Sequence, residues 1–207
     1  DNSSVTGLQP HKKIINWAPR SNGMSMNPVS FLHNNSPTLA PDAKFLMKNW
    51  IVSDGGKDGD FFAKLGRRYA EAGTLSYTEQ YGAVDLPGLA DALSLIGTNT
   101  NTWVEFEAFM HKSRFGSVRA VAEEVREIRL SDNPNAGGFG GAKSEILNSF
   151  ECLSDNELRA SVSAPFDFDI SELNQEDAPP YQINIQESME FIESSAPVVR
   201  AIYSSIL

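Results

Sequence analysis

Between Asp85 and Leu130 the apolar residues fall into three consecutive stripes at helical spacing, and no other stretch constrains the fold as tightly. Asp85 can cap a first helix whose Leu89, Ala92, Leu93 and Ile96 share one face before Gly97 stops it. Thr102 and Glu105 form a capping box ahead of a second stripe, Trp103, Phe106, Phe109 and Met110. Ser117 opens a third helix, in which Val118, Val121, Ala122, Val125 and Ile128 recur at intervals of three and four. Amphipathic helices in succession bury their stripes against one another. The expected fold class is therefore all-α: a compact multi-helix core with a long irregular N-terminal arm and an acidic C-terminal segment ending in a helix.

The rest of the chain divides around that core. Residues 1–43 have little periodicity and read as an extended arm; residues 44–163 form the helical core. Within it, Ala43–Val52 reads as a short helix with Phe45, Leu46 and Trp50 inward, and Asp60–Ala72 as another with Phe61, Phe62, Leu65 and Tyr69 on one side. Ser144–Leu153 buries Ile146, Leu147, Phe150 and Leu153, and Ser154 with Glu157 makes a second capping box. Residues 164–184 are acidic and Pro-bearing and read as a linker. Residues 185–207 read as C-terminal helices docking on the core, with Ile185, Met189 and Ile192 first, a break at Pro197, and then Val198, Val199, Ile202, Tyr203 and Ile206.

Several kinds of chemistry find little support. With Cys152 as the lone cysteine there is no internal disulfide, and its apolar surroundings suit a buried small hydrophobe. His11, His33 and His111 are far apart and lack ligand spacing, so neither a metal nor any other cofactor is expected. No Gly-x-Ser-x-Gly elbow occurs, and the residues favour a non-enzymatic protein. No run is long enough for a membrane span, and the start shows no signal-peptide character. Asp1 in place of Met leaves room for a processed N-terminus. Asn2 and Asn34 head glycosylation-type tripeptides, which do not fix a compartment.

Two loop-like stretches echo known ligand cradles. Asp54-Gly55-Gly56-Lys57-Asp58-Gly59-Asp60 has the acids of a calcium loop, but Leu65 stands where the bidentate Glu belongs. Gly73–Glu79 looks like half of another such loop, without the oxygen ligands. Ser131–Ala142 reads as a loop, and Gly137–Ser144 approaches a phosphate-binding pattern. Ala142 replaces the Gly that the cradle needs before Lys143, and a helix precedes it where a strand is required. Lys143 and Ser144 are the residues a nucleotide-handling enzyme would use.

The remaining signals concern partners. An irregular segment holds a fixed shape only against protein, its own or a neighbour's. Trp17, Met24, Met26 and Phe31 are its anchors, expected to bind a neighbouring chain in an assembly of copies of itself or of other chains. The net charge of −10 is uneven: residues 1–150 carry 15 Lys/Arg against 16 Asp/Glu, residues 151–207 only Arg159 and Arg200 against 11 acids. A basic face can thus coexist with an acidic tail. Lys64, Arg67, Arg68, Lys112, Arg114, Arg119, Arg126 and Arg129 could line a phosphate-binding groove. The competing reading pairs Arg119 and Arg126 with Glu123 along one helix.

Gly73-Thr74-Leu75-Ser76-Tyr77-Thr78 and the stretch from Gly138-Phe139 to Phe150-Glu151 are similar to core segments of the coat proteins of flexuous filamentous plant viruses. The layout of arm, helical core and tail of opposite character resembles theirs. That family's Phe-x-x-Phe-Asp-Phe-Phe stretch is not reproduced at Ile146–Leu153, and its core Arg is absent around Val104–Phe106. The resemblance implies nucleic-acid packaging through the basic residues just named. The leading expectation is a non-enzymatic structural subunit; the alternatives are a nucleic-acid-packaging coat protein and a nucleotide-handling enzyme.

Overall fold

A 25-residue helix, α2 (Lys57–Tyr81), carries the other core helices in this computed structural model. The structure describes residues 11–17, 23–53, 55–133, 135–170, 180–186 and 192–206. Helices α1 (Leu39–Trp50), α3 (Leu86–Ser94), α4 (Asn101–Met110), α5 (Gly116–Leu130) and α6 (Phe139–Phe150) all pack on α2. A 3-10 turn at Glu151–Ser154 leads into a short α7 (Asn156–Ser161), and α8 (Ile192–Ile206) lies against α1. Strands β1 (His11–Asn16) and β2 (Tyr181–Gln186) pair in parallel, His11 opposite Tyr181 and Asn16 opposite Gln186. The fold is the all-α core expected from the sequence, with one small sheet added.

The three stripes between residues 85 and 130 become α3, α4 and α5. Asp85 caps α3 by accepting from the Gly88 N–H at 3.0 Å. Leu89, Leu93, Trp103, Phe106, Met110, Val118, Val121 and Val125 are buried. Caps shift by a residue or two: Thr100 rather than Thr102 accepts from the Trp103 N–H, and α5 starts at Gly116 behind Phe115.

α2 is where the sequence misleads most. It begins at Lys57 instead of Asp60 and continues nine residues past Ala72, through Gly73-Thr74-Leu75-Ser76-Tyr77-Thr78. Gly, Thr and Ser are poor helix formers, but residues 72–78 are buried all round, and burial overrides propensity. Thr74 and Thr78 satisfy their hydroxyls by donating to the Ala70 and Thr74 carbonyls, both at 2.8 Å. The stretch is helix, so the half-loop reading of Gly73–Glu79 does not hold. Lys57–Asp60 is likewise helical, while Asp54 lies outside the described residues.

The described part of the leading segment, residues 11–17 and 23 onward, folds back over the chain's own body, and residues 1–10 and 18–22 lie outside the described residues. Met24 N–H donates to the Ile14 carbonyl at 2.9 Å. Ser25 and Asp167 exchange bonds, Ser25 N–H to the Asp167 carboxylate at 2.9 Å and Asp167 N–H to the Ser25 carbonyl at 3.0 Å. Further on, Val84 N–H donates to the Leu32 carbonyl and Asn34 N–H to the Gly82 carbonyl. Ile15, Trp17, Met26, Val29 and Leu32 enter the core. Backbone groups of an irregular segment need partners, and here residues 82–84 and 161–168 supply them.

At the other end two expectations change. Ile185 lies in β2, not in a helix; Tyr181-Gln182-Ile183-Asn184-Ile185-Gln186 alternates with period two and carries β-branched residues, a strand pattern. Met189 lies outside the described residues. α8 runs through Pro197 without a break, although a proline there removes the N–H that would meet the Glu193 carbonyl and crowds that carbonyl with its ring. Of the expected linker, Phe168 and Ile170 are buried, and residues 171–179 lie outside the described residues.

α2 and α6 meet closely enough to require glycine on both sides. A Cβ on Gly66 would stand 3.1 Å from the Ala142 carbonyl oxygen, and one on Gly141 only 2.5 Å from the Phe62 ring. Gly141→Ala should therefore destabilise the protein by about 1–3 kcal/mol through overpacking, although alanine is the better helix former. Thermal unfolding followed by circular dichroism checks this, and an equal or higher midpoint would mean that the ring moves aside freely.

Candidate interaction surface

Helix α8 has two apolar stripes, one buried in the core and the other exposed at its two ends, with Val199 between them still packed against the core. Val198, Ala201 and Ile202 are buried with Ser195, and Arg200 Nε fixes the helix by donating to the Asn49 carbonyl at 2.7 Å. On another side stand Ile192, 54 % exposed, and Tyr203, 64 % exposed, with Ala196 and Val199 half-buried between them. Intervals of four, three and four are those of a coiled-coil seam. The stripe is about 16 Å long at 1.5 Å per residue. Glu193 and Arg200, seven residues apart on one flank, are the charged residues of the helix. Ile192, Ala196, Val199 and Tyr203 have helical spacing in the sequence as well, but a break at Pro197 would place them on two separate segments.

The expected arm anchors lie elsewhere. Trp17 is 5 % exposed and donates from Nε1 to Ser161 Oγ at 2.7 Å, and Met26 is buried opposite Phe168. Met24 and Phe31 are partly buried against the same core. These side chains are occupied within their own chain. Asn34, the described glycosylation-type residue, donates from its side chain to the Glu79 carbonyl, and Asn2 lies outside the described residues.

The basic residues do not converge on one groove. Arg67 Nε donates to the Ile51 carbonyl at 2.7 Å, and Arg68 pairs with Glu124. Glu124 also accepts from the Tyr69 hydroxyl at 2.6 Å; burial first, and that bond second, push the Tyr69 pKa up. Arg119 donates to the Ser113 carbonyl at 2.6 Å instead of pairing with Glu123, which faces His111 Nδ1 at 3.7 Å. Arg114 stacks on Phe115, stands 3.5 Å from the Glu79 carboxylate and donates to the Asn34 carbonyl. Lys64, Lys112 and Arg126 are exposed and form no ion pair among the described residues. Lys112 and Arg114 share a surface hollow of about 500 Å³ with Asn34, Asn35, Phe109 and Glu79.

Arg129 is internal. Its Nη2 and Nε donate to the two oxygens of Glu107 at 2.6 and 3.2 Å, its Nη1 to Asn99, and Trp103 Nε1 also donates to Glu107. The side chains are 9 % and 4 % exposed. The hydrogen bond to Glu107 raises the Arg129 pKa further, against the cost of burial. The i,i+4 logic of the sequence could not find this pair, because its members sit on α4 and α5.

The Gly137–Ser144 stretch is not a loop. From Phe139 it is the first turns of α6, and Gly140 and Gly141 are filled by Asn135 and Phe62. Lys143 Nζ donates to the Ile96 carbonyl at 2.8 Å, with burial lowering its pKa, and Ser144 donates to the Gly140 carbonyl. Lys143 thus closes the end of α3. Cys152 is buried, and burial pushes its thiol up to about 12, far from a reactive thiolate at neutral pH. No helix among the described residues is long and apolar enough to cross a membrane.

No protein-family model, curated protein or solved structure matches the chain.

Removing one partner of a buried ion pair strands the other charge. Arg129→Met is expected to cost about 3–5 kcal/mol, with Glu107→Leu/Arg129→Met recovering most of it. Urea denaturation of both variants checks this; equal losses would mean that the pair contributes more than mutual neutralisation.

Proposed function

We propose that this protein is a non-enzymatic structural subunit, built to bind protein chains, copies of itself or others, through the outer face of α8. The observation that carries this reading is the second apolar stripe of that helix, Ile192, Ala196, Val199 and Tyr203. Helices at a protein surface ordinarily turn a polar side to water. α8 turns Ile192 and Tyr203 to it, with the half-buried Ala196 and Val199 between them, and exposed apolar patches mark interaction sites. Burying such side chains is worth about 25 cal/mol per Å², which gives a partner its driving force. The contact element in this reading is α8 and not the leading segment, whose anchors are spent on its own core. Truncating that segment would remove Ile15, Trp17, Met26, Val29 and Leu32 from the core and is no test of assembly.

Surface substitutions are the cleaner experiment. Light scattering across the micromolar range is expected to give a mass above that of one chain. Ile192→Lys/Tyr203→Lys, both at exposed positions, is expected to return it to that of one chain, with an unchanged far-UV circular dichroism spectrum. A single-chain mass at every concentration would sink the reading.

A second reading, nucleic-acid packaging, has the hollow under Lys112 and Arg114 in its favour, where two cations meet the Phe109 ring and two asparagine amides. The Glu79 carboxylate in the same hollow opposes it. Fluorescence anisotropy with a labelled single-stranded oligonucleotide decides. Packaging predicts binding at low salt that falls steeply as salt is added and weakens in Lys112→Ala; no binding at low salt excludes it.

A further inference from the structure

We propose that the partner of α8 is α8 of a second copy of this chain, the two helices packed antiparallel about a two-fold axis. The proposal rests on the reading that the outer face of α8 binds protein, and adds the identity and direction of the partner.

Charge placement sets the direction. Ile192, Ala196, Val199 and Tyr203 form a seam with alternating intervals of four and three, and Glu193 and Arg200 occupy equivalent positions on the same flank. When two helices pair antiparallel about a two-fold, like flanks face each other. Glu193 of each copy then faces Arg200 of the other, and the contact is made twice, as an isologous interface requires. In a parallel pair this flank would face the opposite flank, where Ser195 and Ile202 are uncharged and buried against the chain's own core. Antiparallel pairing is the arrangement the charges reward.

Side-chain size agrees. Centred between Pro197 and Val198, the antiparallel register sets Ile192 against Tyr203 at both ends and Ala196 against Val199 in the middle. Large residues close the ends, and small ones let the helices approach at the centre. Arg200 is half-buried, its Nε held by the Asn49 carbonyl at 2.7 Å, and in the pair its Nη nitrogens would have to turn toward the partner's Glu193. Copies that each carry −10 repel one another. The α8 flank balances one acid with one base, so the contact itself adds nothing to that repulsion, and the remainder is screened at physiological salt.

Cross-linking of the full chain tests direction and partner together. Ile192→Cys and Tyr203→Cys are made separately at exposed positions, mixed and oxidised gently. The native Cys152 is buried and does not compete. The expected result is a mixed I192C–Y203C dimer in large excess over either homodimer. In the antiparallel register the two copies of residue 192 are about 16 Å apart, beyond the roughly 7 Å between Cα atoms that a disulfide spans. I192C–I192C and Y203C–Y203C homodimers in excess would show parallel packing and overturn the proposal. Wild-type association that gives no cross-link at either position overturns it too, and leaves the assembly reading standing. A single-chain mass throughout overturns both.

Discussion

The close approach of α2 and α6 is the constraint on which the rest of the structure depends. Gly66 lies beneath the Ala142 carbonyl, and Gly141 lies beneath the Phe62 ring. A side chain at either place would have to displace what faces it. With α6 set there, Trp50 of α1 reaches the Ser149 carbonyl at 2.9 Å and stacks on Phe150 at 5.0 Å. Lys143, one residue beyond the Ala142 contact, closes the end of α3. The glycine-rich run is thus explained by helix packing, with no phosphate to cradle.

A second constraint is the closure of the chain on itself. β1 and β2 are separated by most of the sequence, yet they pair in register, and Ser25 with Asp167 repeats the connection a short way on. Trp17, buried with its indole N–H on Ser161, lies between these two connections. Parallel strands need a long crossover; here the entire helical core supplies it. The described parts of the acidic C-terminal quarter are tied to the body by backbone bonds of β2 and Asp167 and by the apolar packing of α8.

These demands leave a short inventory of unspent groups. Five of the eight basic residues, Arg67, Arg68, Arg114, Arg119 and Arg129, hold carbonyls or carboxylates of their own chain. Cys152 and Lys143 are absorbed by packing and capping. Among the described residues, Ile192 and Tyr203 of α8 face outward, as do Lys64, Lys112 and Arg126.

The sequence by itself determined the all-α class and the helices α3, α4 and α5, because the period of their apolar residues is a local property that any packing partner must respect. It also determined the Asp85 cap and the buried character of Cys152. Only the tertiary structure decided the length of α2, since Gly73–Thr78 becomes helical through burial from all sides. The same holds for the course of residues 23–34 and for the burial of Arg129, whose partners lie on other elements and leave no periodic trace. The surface of α8 lies between these cases. Its spacing was written in the residues, but which of two apolar stripes would meet the core depended on where α1 came to rest.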